Sequence, residues 1–312
     1  SKMRKHWQFD LSSFHNHIYA QIEEILQNGY TCYVIQNLLT REEANTPRVS
    51  LLKSELTFRL KLMQDMLFRL LALIYEPDKI YQAFLNYNSH NEGFRTFSIE
   101  LLDYTITQTL SARLLPFLED LPITDKLFIA KEKYAIDGTS NPKWYDYEVI
   151  SRDRWLSIIT DWCLQKDSGE ELSVIQALDK IYFLKTVSLF ANLSAEQLLP
   201  VSDIAHEMQV EEHAIIFNQN DLGDSFYILL KGQVSVDKDG YQIAVLKDKD
   251  CFGEVALLDS APRTATIRTL TDCELLVITQ EDFLDLIEEY PSLARGMLEI
   301  LAQRLRSVLE KK

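Results

Sequence analysis

Chemistry is most readable in the segment Phe252-Gly253-Glu254-Val255-Ala256-Leu257-Leu258, followed after Asp259 and Ser260 by Ala261-Pro262-Arg263-Thr264-Ala265-Thr266-Ile267. Gly253 permits close backbone approach, and a short helical turn after it would leave N–H groups unpaired and partly positive, a seat for an anion. Arg263 lies nine residues beyond Glu254. From the start of a strand it can return across that seat and present two N–H donors to phosphate oxygens. Glu254 can accept from a sugar hydroxyl. A carboxylate and a guanidinium in one small pocket each need a partner to offset their desolvation. A nucleotide, with hydroxyl and phosphate together, supplies both.

Other reactive residue types read as structural. His15 and His17 are two apart, on different faces of a helix, with no cysteine or carboxylate at ligand spacing, so no metal site is expected. Cys251, beside the anion seat, reads as a packed thiol. Asn192-Leu193-Ser194 fits a glycosylation acceptor, but Ser194 is a natural N-cap for the helix that follows. No GxSxG elbow, HExxH pair, Walker lysine loop or paired-carboxylate constellation occurs. With no general base readable beside the seat, the expectation is a protein that binds without catalysing.

Positioning these residues falls to short β-branched and aromatic runs: His213 to Phe217, Phe226 to Leu230, Val234 to Val236, Ile243 to Leu246, Thr264 to Thr269 and Leu275 to Ile278. Gly223, Gly232, Gly240 and Gly253 punctuate them. Such strands at roughly 8–12-residue spacing predict a small antiparallel barrel or jelly roll. Two helices follow, Gln280 to Glu289 and Ser292 to Glu310, the second carrying Leu293, Met297, Ile300, Leu301 and Leu305 as an apolar stripe.

Upstream, from Leu11 to about Met208, apolar residues recur at three- and four-residue intervals, as in Ile18, Ile22, Ile25 and Leu26. The run Leu51 to Tyr75 reads as the longest helix, stopped by Pro77. Further helices are expected near Asp78 to Asn86, Phe94 to Leu110, Ala112 to Glu119, Thr124 to Tyr134, Asp153 to Gln165 and Glu170 to Tyr182, punctuated by Pro116, Pro122 and Pro142. Helices of this size joined by short polar turns suggest helical hairpins stacked as in a solenoid. The fold class is therefore α+β, with an all-α domain over 1–180 and a jelly roll over 181–312.

The 312 residues suit two domains, and 46% hydrophobic content is enough for two cores. Lys and Arg number 32 against 47 Asp and Glu, a net charge of −15, which is the wrong sign for a nucleic-acid partner. Four cysteines without CxxC pairing fit a reducing, cytoplasmic setting. The most apolar stretch, Met66 to Tyr75, is half of what a membrane span needs and is interrupted by Arg69.

The segment from Phe252 to Thr266 resembles the phosphate-binding cassette of the cyclic nucleotide-binding domain, shared by bacterial catabolite activators, kinase regulatory subunits and cyclic nucleotide-gated channels. Phe190-Ala191-Asn192-Leu193-Ser194 resembles that family's entry into its first helices, and Gly223-Asp224-Ser225-Phe226-Tyr227-Ile228-Leu229-Leu230-Lys231-Gly232-Gln233-Val234 its glycine-bounded hairpin. The resemblance, over about residues 183–310, implies a jelly roll holding cAMP or cGMP and no metal. Phe252, Gly253, Glu254, Val255 and Ala256 would surround ribose and phosphate, with Arg263 on the cyclic phosphate and Thr264 and Ala265 beside it. In this family a threonine after the arginine can serve a syn guanine, where alanine suits adenine. The last helix folds over the base as a lid, which makes Ile300, Gln303 and Arg304 the base contacts.

Phe97-Ser98-Ile99-Glu100-Leu101-Leu102-Asp103-Tyr104, with Leu114-Leu115-Pro116-Phe117-Leu118-Glu119-Asp120, resembles HEAT-like helices that precede such domains in bacterial carriers of the ADP/ATP translocase or major facilitator type. That resemblance implies a cytoplasmic sensor joined to a membrane transporter portion of the same polypeptide or to another protein. The alternative expectation is an interaction scaffold whose jelly roll has kept its shape and lost its ligand.

Overall fold

The computed structural model describes residues 11–41, 46–89, 91–138, 143–165, 172–187, 190–191, 193–253, 262–291, 293–294 and 298. The chain divides into two compact units, Ser1–Ser157 and Ile158–Lys312. Residue 180, the end of the expected all-α domain, lies inside a helix, Leu172–Thr186, of the second unit.

The first unit is helical: α1 (Leu11–Arg41), α2 (Pro47–Ile74), α3 (Pro77–Tyr87), α4 (Glu92–Thr105), α5 (Gln108–Leu118), α6 (Ile123–Tyr134), α7 (Glu148–Arg152) and the start of α8 (Arg154–Leu164). α2 begins four residues earlier than the apolar run at Leu51. The Thr46 hydroxyl accepts from the Val49 N–H, and Pro47 occupies the first helical position, where its missing N–H costs nothing. At 31 residues α1 exceeds the 28 of α2 and is the longer helix, contrary to expectation. Its buried Ile18, Ile22, Leu26, Tyr30 and Val34 hold one face while polar residues interrupt the apolar run.

The single helix expected over Phe94–Leu110 is two. α4 stops at Thr105, Ile106 is extended and buried, and the Tyr75 hydroxyl takes the Thr107 N–H at 3.2 Å before α5 starts. Pro116, named among the punctuating prolines yet within the helix expected over Ala112–Glu119, sits inside α5. Proline leaves the carbonyl four residues earlier without its helical donor. That carbonyl belongs to Ala112, and Lys133 Nζ of α6 donates to it at 2.7 Å. Pro122 is the N-cap of α6, as a boundary residue should be, and Pro142 lies outside the described residues.

From α1 to α5 successive helices pack on one another, and α1 also packs against α5, α6 and α7, so the helices gather around α1 in addition to stacking serially. An open solenoid makes only neighbour contacts. Tyr30 of α1 meets Phe117 and Tyr134 with ring centroids 5.5 and 5.2 Å apart. Arg59 of α2 ties the chain before α8. Its Nε lies 2.8 Å from Asp153 Oδ2, and its Nη2 donates to Oδ1 at 3.2 Å. The same Oδ1 accepts from the N–H groups of Trp155 and Leu156, capping α8.

The second unit contains α9 (Leu172–Thr186), α10 (Ala195–Ile204), strands β1 (His206–Val210), β2 (Ile215–Phe217), β3 (Ser225–Lys231), β4 (Gln233–Lys238), β5 (Tyr241–Lys247), β6 (Cys251–Phe252), β7 (Thr266–Thr269) and β8 (Cys273–Thr279), then α11 (Gln280–Glu289). Ser194 and Gln197 cap α10 reciprocally. The strands form two antiparallel four-stranded sheets in the orders β1-β8-β3-β6 and β2-β7-β4-β5, a jelly roll. Each sheet pairs strands distant in sequence. Leu229, Val234, Phe252, Ile267, Cys273 and Leu275 form a buried cluster inside the jelly roll.

The six expected strands are β2, β3, β4, β5, β7 and β8. β1 was invisible because His206-Glu207-Met208-Gln209 are all exposed and so show no alternation, and β6 is only two residues long. β7 starts at Thr266, two residues later than expected. Arg263 bonds instead through its backbone, N–H to Asp221 O and O to Asn220 N, both 2.8 Å. α11 has the expected bounds, and the helix expected over Ser292–Glu310 lies largely outside the described residues. No described helix is long and apolar enough to cross a membrane.

Removing Asp153 removes a cap and strands the half-buried Arg59. Asp153→Ala is expected to cost about 2.5–4 kcal/mol, the sum of a cap near 1 and a charge-assisted contact of 1.5–3. Asp153→Asn, which retains the cap acceptor, should cost less. Denaturant unfolding followed by circular dichroism measures the order; equal losses in both variants would contradict the dual role.

Candidate functional site

The site is built around Arg263, which is 7% exposed. Residues 263, 265 and 267 are buried while Thr264 is exposed, the period of two of an extended chain, so Arg263 points inward just before β7. Nη2 donates to Ser225 O at the start of β3 at 2.7 Å, and Nη1 donates to Gly253 O at the end of β6 at 3.4 Å. The guanidinium carbon lies 4.1 Å above the Phe217 ring of β2 and 5.9 Å from the Tyr227 ring of β3. Phe252 stacks on Tyr227, centroids 5.1 Å apart and rings 10° from parallel. Three strands and one loop therefore supply the seat of one cation.

Two glycines make the fit possible. Gly253 has φ +76, a conformation that L side chains rarely adopt, and a methyl there would lie 2.6 Å from Arg263 Nη1. At Gly223 a methyl would lie 2.2 Å from Nε, so the backbone lies flush against the guanidinium.

No described carboxylate lies within ion-pair distance of Arg263. Burial draws the guanidinium below its ordinary value, while Tyr227, Asp224 and Asp221 act in the opposite sense. Its charge persists regardless, because a guanidinium is not deprotonated in proteins. Of its five N–H donors, two meet carbonyls and Nε is buried without a partner among the described residues. A desolvated cation held by neutral acceptors, with donors to spare, is a site for an anion.

Of the residues singled out in the sequence, Phe252, Gly253 and Arg263 come together here; Ala265 is buried and Thr264 exposed beside them. Glu254, Val255 and Ala256, with the expected lid residues Ile300, Gln303 and Arg304, lie outside the described residues. Sequence reasoning did not single out Phe217, Gly223, Ser225 and Tyr227 as the cradle of Arg263. Gly223, Ser225 and Tyr227 lay in the glycine-bounded hairpin already noticed for its resemblance, but nothing in their types says which distant cation they receive. No group of metal ligands occurs among the described residues.

Residues 207–290 match the family described as the cyclic nucleotide-binding domain. The second unit carries a cyclic nucleotide-binding domain. It is similar to a cGMP-dependent protein kinase of Caenorhabditis briggsae, 33% identical over 37% of this chain and 16% of the kinase. It is also similar to the cyclic AMP receptor protein of Thermus thermophilus, 33% identical over 39% of this chain and 59% of the receptor. The chain thus spans less than two thirds of the length of either relative. Among solved structures, the N-terminal domain of a Streptomyces coelicolor transcriptional regulator is 30% identical over 41% of this chain and 94% of that domain, with a TM-score of 0.40.

Contact between Gly223 and Arg263 predicts a coupled pair. Gly223→Ala should destabilise the jelly roll by about 1–3 kcal/mol through overpacking. In an Arg263→Ala background most of that cost should vanish, because the obstructing side chain is gone. A double-mutant cycle by denaturant unfolding measures the coupling, and additive losses would show that the two do not share the space.

Proposed function

We propose that this chain is a cyclic nucleotide sensor, a regulatory module in which cAMP or cGMP binds at Arg263 without being turned over. The observation that carries the reading is the buried guanidinium with spare donors and no described counter-charge, seated where Gly253 brings backbone against it. A cyclic phosphate would supply the missing negative charge. Glu254 would accept from the ribose hydroxyl, with Val255 and Ala256 completing the turn and Thr264 at its rim. Ile300, Gln303 and Arg304 would cover the base.

Ligand binding would be relayed through β3. Ser225 O holds Arg263, and the next residue, Phe226, meets Phe190 with ring centroids 6.1 Å apart. Phe190 in turn meets Phe283 of α11 at 6.1 Å. The helices entering the jelly roll are fastened to the same place: α9 packs on α10 and touches β3, and Lys180 Nζ donates to Ala205 O at 2.8 Å. The helical unit, read as HEAT-like and tied to a transporter or another protein, would receive the signal. A full switch from 1:99 to 99:1 needs about 5.5 kcal/mol of differential affinity, more than the 1–3 kcal/mol of ordinary allosteric coupling, so a partial shift is expected.

Thermal unfolding with cAMP, cGMP and AMP in parallel tests the reading. A ligand at a hundred times its dissociation constant adds about 2.7 kcal/mol to the stability of the state it binds. A rise in Tm with one cyclic nucleotide and not with AMP is expected. Arg263→Ala should weaken that ligand about 100-fold or more, since two charge-assisted bonds at 1.5–3 kcal/mol each are lost. No shift with any of the three would transfer the reading to an interaction scaffold.

A further inference from the structure

The helical unit has a cavity of about 410 Å³ between α1, α2 and the α3–α4 turn, lined in part by Tyr33, Lys61, Gln64, Tyr87, Asn88 and Arg95. That volume falls in the range of small-molecule sites. In a chain of net charge −15, two cations line it and no described carboxylate does.

Each cation is positioned differently. Arg95 lies over the Tyr87 ring, 4.8 Å from its centroid, and Nη2 donates to the Tyr87 hydroxyl at 3.2 Å and to Leu118 O at 3.4 Å. The Tyr87 hydroxyl donates to the same carbonyl at 3.0 Å. One edge of the guanidinium is thus fixed, and its other N–H groups meet no described acceptor. Lys61 is exposed and makes no ion pair or hydrogen bond among the described residues. Gln64 and Asn88 add amide donors.

A third cation stands behind the wall. Lys126 is 7% exposed, and its Nζ donates to the Tyr33 hydroxyl at 2.9 Å while lying 4.3 Å from that ring. Burial lowers its pKa, as does Arg95, whereas Asp120 and Glu119 raise it. Asp65 and Asp120 also act on Tyr87 from outside the lining. The acids that offset these charges thus lie outside the lining, and the cavity itself is faced by two cations and no described carboxylate, which favours an anionic occupant.

We infer that this cavity is a second ligand site, distinct from Arg263, for a small polyanion carrying two or more phosphate or carboxylate groups. Lys61 and Arg95 would be its direct contacts, and Lys126 would add field through Tyr33.

Isothermal titration of the full chain with inorganic pyrophosphate, and separately with citrate, tests the site. Saturable binding at one site per chain is expected for at least one of them: pyrophosphate alone would mark phosphate as the ligand chemistry, citrate alone carboxylate. Lys61→Glu, at an exposed position, should weaken binding tenfold or more without affecting folding, and Arg95→Gln likewise. Arg263→Ala should leave it unchanged, which separates this site from the jelly roll whatever the fate of the nucleotide reading. No saturable binding of either probe, undiminished binding in Lys61→Glu, or loss of binding in Arg263→Ala would each overturn the inference.

Discussion

The jelly roll is organised around the burial of one positive charge. Taking a guanidinium out of water is costly unless its donors are met, and here neutral groups do the first part of the work: two carbonyls and the face of Phe217. This constraint reaches far along the chain. It requires a bare backbone at Gly223, a left-handed conformation at Gly253, an aromatic ring from β2 and the first carbonyl of β3. It also takes Arg263 out of the sheet, whose backbone bonds instead to Asn220 and Asp221, and so delays the start of β7.

The helical unit solves a related problem differently. Pro116 would orphan the Ala112 carbonyl, and a lysine from the neighbouring helix satisfies it. Asp153 satisfies two helix N–H groups and a guanidinium 94 residues away with one carboxylate. In both units, long-range polar contacts hold places where the local backbone pattern is broken.

These same places separate what was legible in the sequence from what was not. Helix type followed from three- and four-residue spacing, and α11 came with its bounds because Thr279 caps it and its apolar face is regular. The break at Ile106 was unreadable because an apolar residue continues the helical period, and the partner that fixes the break, Tyr75, lies 32 residues away in sequence from Thr107. β1 carried no alternation to read. Within the site, Phe252, Gly253 and Arg263 were legible because a glycine and an arginine at that spacing suggest an anion seat. Phe217, Gly223 and Ser225 were not, since their contribution is to hold a side chain that folding alone brings to them. The local pattern shows which residue is charged; the topology decides what surrounds it.

A strand offers its carbonyls near the plane of the sheet and its side chains on the two faces, and β3 uses one of each at its first two positions. Ser225 contributes to the anion seat through its carbonyl, while Phe226 carries the ring that meets Phe190. The hold on the buried cation and the contact with the helix-entry aromatic are therefore separated by a single peptide unit yet reside in different chemical groups, a main-chain oxygen and a side chain. A substitution at position 226 would change the packing against Phe190 while the oxygen at 225 stays where the backbone puts it.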